Sequence, residues 1–130
     1  MALVVLDASA LIALLDPADA LHGAARLEFN QLAGEDLAVP ASALAETLVA
    51  PARAGKLEEA RRHIQALDLR ITDLGEAMAV EAARLRSRHG RLRLPDALVL
   101  ATAEVLHAKV LLTGDANWKP LAKRVRVIGC

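Results

Sequence analysis

The chain predicts an α/β protein: a three-layer αβα sandwich in which a mainly parallel sheet lies between helices. Two observations carry that prediction. Short apolar runs containing β-branched residues, chiefly Leu3–Leu6 and Lys109–Thr113, read as buried strands. Longer Ala- and Leu-rich segments separate the strands, and this alternation builds a parallel sheet with helices on both faces.

Taken in order, Leu3–Leu6 is the first strand and Asp7 ends it. Ala8–Leu15 is a buried helix closed by Asp16-Pro17, and a second helix is expected from about Asp19 to Ala33. Gly34 and Glu35-Asp36 make the turn into a second strand, Leu37–Val39, which Pro40 stops. Ser42 is the expected N-cap of a helix reaching Ala50, with Pro51 and Gly55 bracketing a break. Residues 56–67 carry the pattern of an exposed amphipathic helix, and Leu69–Thr72 reads as a third strand. A long helix from Glu76 to Arg88 ends at His89-Gly90. Pro95 suits a helix's first turn, so Asp96–His107 continues as a nearly all-apolar helix. Val125–Ile128 alternates and reads as a last edge strand. No linker, repeat or low-complexity stretch divides residues 1–130, so one domain is expected.

Composition narrows the function. Apolar residues make up 55% of the chain, which excludes a disordered protein. The only aromatics are Phe29 and Trp118, which argues against a sheet surface that stacks bases. Sixteen basic residues balance sixteen acidic ones, so distribution matters more than net charge. Arg84, Arg86, Arg88, Arg91 and Arg93 crowd one stretch, with His89 among them; they read either as a solvated helix end or as a phosphate-contacting patch. The single cysteine, Cys130, has no partner for an internal disulfide, and the first residues lack a basic region before the apolar run. A soluble cytoplasmic protein with no membrane span is the expectation.

The acids carry the chemistry. Asp7 and Asp115 each follow a buried strand, where open α/β sheets bind ligands, and each is equally readable as a cap or turn residue. Gly114 between Thr113 and Asp115 permits a tight turn. Asp96 shares a helix face with Val99, Leu100 and Ala103; it is either a first-turn acid favoured by the helix dipole or an acid held by a partner or metal. Glu46 lies off the expected stripe of Ala41, Leu44, Ala45, Leu48 and Val49, which places it at the rim or in solvent. Carboxylates at strand ends with no His or Cys cluster form an all-oxygen site, suited to Mg²⁺ or Mn²⁺ rather than Zn²⁺. His22, His63 and His107 are scattered and read as surface or capping residues.

Four segments together resemble the PIN-domain family. Val4-Val5-Leu6-Asp7-Ala8-Ser9-Ala10-Leu11 is similar to its first motif and Ala43-Leu44-Ala45-Glu46-Thr47-Leu48 to its second. Leu94-Pro95-Asp96-Ala97-Leu98 resembles the third, and Leu111-Leu112-Thr113-Gly114-Asp115-Ala116-Asn117-Trp118 the fourth. The resemblance implies a twisted parallel sheet between helical layers. It implies that Asp7, Glu46, Asp96 and Asp115 converge in one acidic pocket, overriding the solvent reading of Glu46. Ser9 and Thr113 would lie beside that pocket and hydrogen-bond its carboxylates or a bound water. Asn117 stands where family members often carry Asp or Asn, and being the neutral amide puts its part as a metal ligand in question.

Single-domain members of this length resemble VapC toxins. The implied activity is metal-dependent endoribonuclease cleavage, with tRNA or rRNA as substrate class, a VapB-like antitoxin as partner, and a homodimer as assembly. Asp7, Asp96 and Asp115 would hold Mg²⁺ or Mn²⁺, and Glu46 would complete the shell or take a proton from the attacking water. Two rival readings make different demands on the sequence. A receiver-like phosphotransfer domain would need an acid ending a central strand, whereas Leu37–Val39 ends in Pro40. A non-catalytic module with the same fold would not need all four acids.

Overall fold

The computed structural model describes residues 2–129, so Met1 and the expected free thiol of Cys130 lie outside it. Five strands form one sheet: β1 (Leu3–Leu6), β2 (Asp36–Pro40), β3 (Arg70–Thr72), β4 (Val110–Thr113) and β5 (Val125–Val127). Their spatial order is β3-β2-β1-β4-β5, and every adjacent pair is parallel. The helices are α1 (Ala8–Leu15), α2 (His22–Gln31), α3 (Ala41–Arg53), α4 (Leu57–Ala66), α5 (Glu76–Arg88) and α6 (Leu94–Val105). A 3-10 helix spans Ala116–Leu121. None of the helices among the described residues is long and apolar enough to cross a membrane.

The period-two alternation of β1 sorts the core into two layers. Val5, with Val39, Leu111, Val125 and Val127, packs against Ala43 of α3, Ala82 of α5 and the Ala97–Ala103 stretch of α6. Val4 and Leu6, with Leu112 and Ile128, pack against Ala10 and Ala13 of α1 and Ala25 of α2. A strand buried on both faces has no polar alternation, which is why β1 and β4 read as continuous apolar runs. The α/β sandwich with a parallel sheet is therefore what the protein adopts.

Several boundaries differ from the sequence reading. Helix α2 starts at His22 rather than near Asp19 because the side chains of Asp16 and Asp19 accept from the backbone N–H groups of Ala18 and Leu21 (both 2.9 Å), holding a turn. Pro40, not Ser42, is the N-cap of α3, and the helix runs through Pro51 to Arg53. Proline near a C-terminus removes one ladder bond but keeps a helical φ, and the chain turns instead at Gly55, where φ is +72°. The 3-10 helix was not foreseen. His22 bridges α1 and α2, its Nδ1 lying 2.8 Å from the Ala13 carbonyl oxygen, and His107 adopts a left-handed φ of 53° after α6.

Arg124 fastens the last crossover. Its Nη1 donates to the carbonyls of Ala103 (2.6 Å) and Ala108 (2.8 Å), and its Nη2 to Glu104 Oε2 (2.9 Å). Those carbonyls belong to the C-terminal end of α6 and the turn into β4, where acceptors lack helical partners. Arg124→Ala should lower the unfolding free energy by about 2–3 kcal/mol, the scale of losing charge-assisted hydrogen bonds. Urea denaturation checks this, and a midpoint indistinguishable from wild type would show that the clamp is dispensable.

Candidate active site

Strand β1 lies between β2, reached by the next crossover, and β4, reached late in the chain. Successive strands are added outward on one side from β1 to β3 and on the other from β4 to β5, so the strand order reverses between β1 and β4, and such switch points open a crevice at the carboxyl ends of the strands. Asp7 and Thr113 occupy those two ends.

Asp7 continues the ladder, its N–H donating to the Leu112 carbonyl at 3.0 Å. It stands at the N-cap position of α1 with extended backbone, yet its carboxylate makes no capping bond to that helix. Its oxygen Oδ2 instead accepts from two hydroxyls, Ser9 Oγ at 2.7 Å and Thr113 Oγ1 at 3.0 Å. Each hydroxyl in turn accepts a backbone N–H from the turn beyond β4: Gly114 to Ser9 at 2.8 Å, and Asp115 to Thr113 at 3.1 Å. A hydroxyl has one proton to give. The turn's N–H groups therefore orient both hydroxyls as donors to Asp7, and Oδ1 is left without a side-chain donor.

Gly114 matters here for space rather than for turn freedom. A Cβ on it would sit 2.9 Å from Leu21 Cδ1 and 3.4 Å from Ser9 Oγ. Neither Gly114's steric role nor Leu21's position over it was legible in the sequence, because the contact joins segments remote in the chain.

Asp115 is both cap and candidate ligand: its Oδ1 accepts from the Asn117 N–H at 2.9 Å, opening the 3-10 helix. Asp96 lies in the first turn of α6, its side chain 25% exposed, with Val99, Leu100 and Ala103 buried behind it. Glu46 is on the solvent side of α3, as its position off the apolar stripe predicted. The stripe itself is phased differently from the expectation: Ala43 and Thr47 are the buried residues, while Ala45 and Val49 are exposed. At about 100° per residue, Glu46 borders that face instead of opposing it.

The charges on these residues are felt mutually. Burial pushes the Asp7 carboxyl above its ordinary value, against the lowering effect of the Ser9 and Thr113 hydrogen bonds. Glu46 is raised by burial first and then by repulsion from Asp7 and Asp96, with Arg93 opposing. Asp96 is raised by burial and by Asp7, lowered by Arg93, and raised again by Asp115. Acids from β1, α3, α6 and the β4 turn thus share one electrostatic neighbourhood. Among the described residues, no three such side chains are gathered tightly enough to chelate an ion by themselves. The all-oxygen donor set, with its raised carboxylates, fits a hydrated hard cation reached partly through water. Mg²⁺, which keeps several of its waters, is such an ion.

The arginines divide. Arg84 pairs with Glu81 at 3.5 Å. Arg86 donates from Nε to the Leu92 carbonyl at 2.8 Å, which ties the end of α5 to the loop before α6. Arg88 lies at the end of α5 and does not line the groove beside the acids. Arg91 and Arg93 do line that groove, and Arg93 Nε is 3.9 Å from Asp96 Oδ2.

The fold and site define a class: an all-parallel α/β domain with a carboxylate cluster at its topological switch. The PIN domain family model matches residues 4–124, and the chain belongs to the PIN-domain family. No curated protein matches the sequence. Among solved structures, the chain is similar to one in a toxin–antitoxin complex from Klebsiella pneumoniae at 22% identity and TM-score 0.79, covering 95% of this chain and 96% of that one. It resembles Mycobacterium tuberculosis VapC20, described as a sarcin-ricin loop cleaving toxin, at 17% identity and TM-score 0.77, covering 92% and 95%. It also resembles a chain of VapBC2 from Rickettsia felis bound to a promoter DNA fragment, at 16% identity and TM-score 0.79, covering 96% and 98%. At these identities the likeness is one of fold.

Raised carboxylates have a thermodynamic consequence. The native protein holds these protons more tightly than the unfolded chain, where Asp titrates near 3.8 and Glu near 4.5. Their destabilising effect is therefore absent below the unfolded values and grows as pH rises through the higher folded ones. Without divalent ions, Asp7→Asn/Asp96→Asn should melt above wild type at neutral pH, with the gap closing toward pH ~4. Thermal melts across pH in EDTA check this, and a gap that does not vary with pH would contradict it.

Proposed function

We propose that the protein is a metal-dependent endoribonuclease acting on RNA phosphodiesters, one catalytic domain in extent, and the toxin of a VapBC-type pair. The observation that carries this reading is repulsion among acids of separate segments beside the switch point of the sheet: Glu46 feels Asp7 and Asp96, and Asp96 feels Asp7 and Asp115. Like charges at a strand end destabilise a fold and are expected where a site needs them.

Asp7 through Oδ1, with Asp96 and Asp115, would hold Mg²⁺ or Mn²⁺, directly or through water. When bound, the ion supplies Lewis acidity that lowers the pKa of water and offsets charge developing on the phosphate. Glu46, with its pKa raised by burial and by Asp7 and Asp96, is suited to take a proton from the attacking water. Ser9 is a positioning residue and not a nucleophile, since its proton is directed to Asp7. Arg91 and Arg93 stand where they can contact the RNA backbone beside the acids. The toxin assignment and a VapB-like antitoxin are supported by the toxin–antitoxin neighbours, and RNA as substrate by the neighbour that cleaves the sarcin-ricin loop. A homodimer remains part of the proposal.

Asp7→Asn and Asp96→Asn should each reduce RNA cleavage by ~100-fold or more, the scale of removing a preorganised charge from a reacting centre. EDTA should abolish cleavage in the wild type. Cleavage of total RNA by both folded variants at the wild-type rate would remove this active site. Arg91→Ala/Arg93→Ala should lower RNA affinity and flatten the log–log salt dependence by about two phosphate contacts. An unchanged slope would assign both arginines to plain surface.

A further inference from the structure

On one side the acidic cluster opens into a groove of about 600 Å³, within the roughly 300–1,000 Å³ of small-molecule sites. Its lining separates by chemistry. Leu92, Trp118 and Leu121 form an apolar floor, and the first two are nearly buried, at 8% and 3% exposed. Arg91 and Arg93 supply positive charge from the loop between α5 and α6. Asp96 and Asp115 belong to the groove and to the acidic cluster alike, so one runs into the other. Asn117 adds an exposed amide.

This groove is built rather than incidental. The Arg86 bond to the Leu92 carbonyl, with the Leu92 N–H bonded to the His89 carbonyl at 2.9 Å, pins the loop that forms one wall. On the other wall, the Asn117 backbone N–H is held by Asp115 at 2.9 Å, and its side-chain amide enters no hydrogen bond among the described residues. A donor and an acceptor are thus presented together at the groove's edge, without a protein partner among the described residues. Charge and shape favour an anion with a flat apolar body: cationic groups on the rim, apolar floor, and a polar reader at the edge.

We propose that this groove is a nucleotide subsite, taking the nucleotide that adjoins the phosphate at the acidic cluster. The base lies against Leu92, Trp118 and Leu121, the phosphate meets Arg91 and Arg93, and the Asn117 amide reads the base edge. Adenine presents a donor beside an acceptor on both of its edges, which matches an amide. Asn117 is then a residue that sets sequence preference. The inference rests on reading the acidic cluster as a phosphodiester site.

Trp118 is the only tryptophan in the chain, so its fluorescence reports on the groove. The experiment titrates the folded protein, in Mg²⁺, with AMP, GMP, CMP and UMP in turn. Saturable quenching is expected, with AMP bound about fivefold or more tightly than the weakest of the four. Asn117→Ala should make the four nearly equal, and Arg91→Ala/Arg93→Ala should weaken all four without changing their order. Absence of saturable quenching, or a ranking that survives Asn117→Ala, overturns the subsite. The titration needs no cleavage, so nucleotide binding as described in a protein that cuts no RNA would uphold the subsite while removing the nuclease reading. RNA cleavage with an unresponsive Trp118 would do the reverse.

Discussion

The structure is organised around one costly group, the carboxylate of Asp7, 7% exposed at the end of the central strand. A buried charge needs compensating donors. Here they are the Ser9 and Thr113 hydroxyls, and those are oriented by the backbone N–H groups of Gly114 and Asp115. None of this exists until β1 and β4 are paired in register, with Val5 opposite Leu111 and Leu6 opposite Leu112. Sheet pairing and site assembly are one event. The close approach at Gly114 follows from the same arrangement, since the β4 turn must come down onto Ser9.

The second feature is unresolved repulsion. Glu46 and Asp96 both feel Asp7, and Arg93 offsets this only in part from an exposed position. A fold selected for stability alone would not gather these charges. The arginines illustrate how surroundings assign roles to one residue type. Arg86 and Arg124 both donate to backbone carbonyls at chain reversals and act as clamps. Arg91 and Arg93 face a groove shared with two acids.

Local pattern made much of this legible. β1 and β4 stood out because strands buried on both faces must be apolar throughout, and α6 because Pro95 suits a first turn. The phase of α3 did not, since Ala and Leu populate nearly its whole circumference and the wheel is then ambiguous. With Ala43 and Thr47 buried and Ala45 and Val49 exposed, the buried face is turned so that Glu46 borders it. Pro51 was read as a break because proline's local cost was weighed without the packing that carries the helix to Arg53. The five arginines crowded in sequence take different surroundings in the fold: Arg84 pairs with an acid, Arg86 bonds a carbonyl, and Arg91 and Arg93 line the groove.

What the sequence determined by itself is what nearest neighbours along the chain impose: which runs are strands, which are helices, and that Asp7 and Asp115 end strands in an alternating α/β order. Tertiary structure decided what depends on crossovers. It placed β1 beside β4, so that Thr113 and Ser9 converge on one oxygen of Asp7 although Thr113 and Asp7 are 106 residues apart in the chain. It also brought α3 and α6 over the same strand ends and pinned the 89–93 loop as the wall of a groove. Periodicity records which face of an element is buried, but not which other element buries it, and the site is made of the second kind of information.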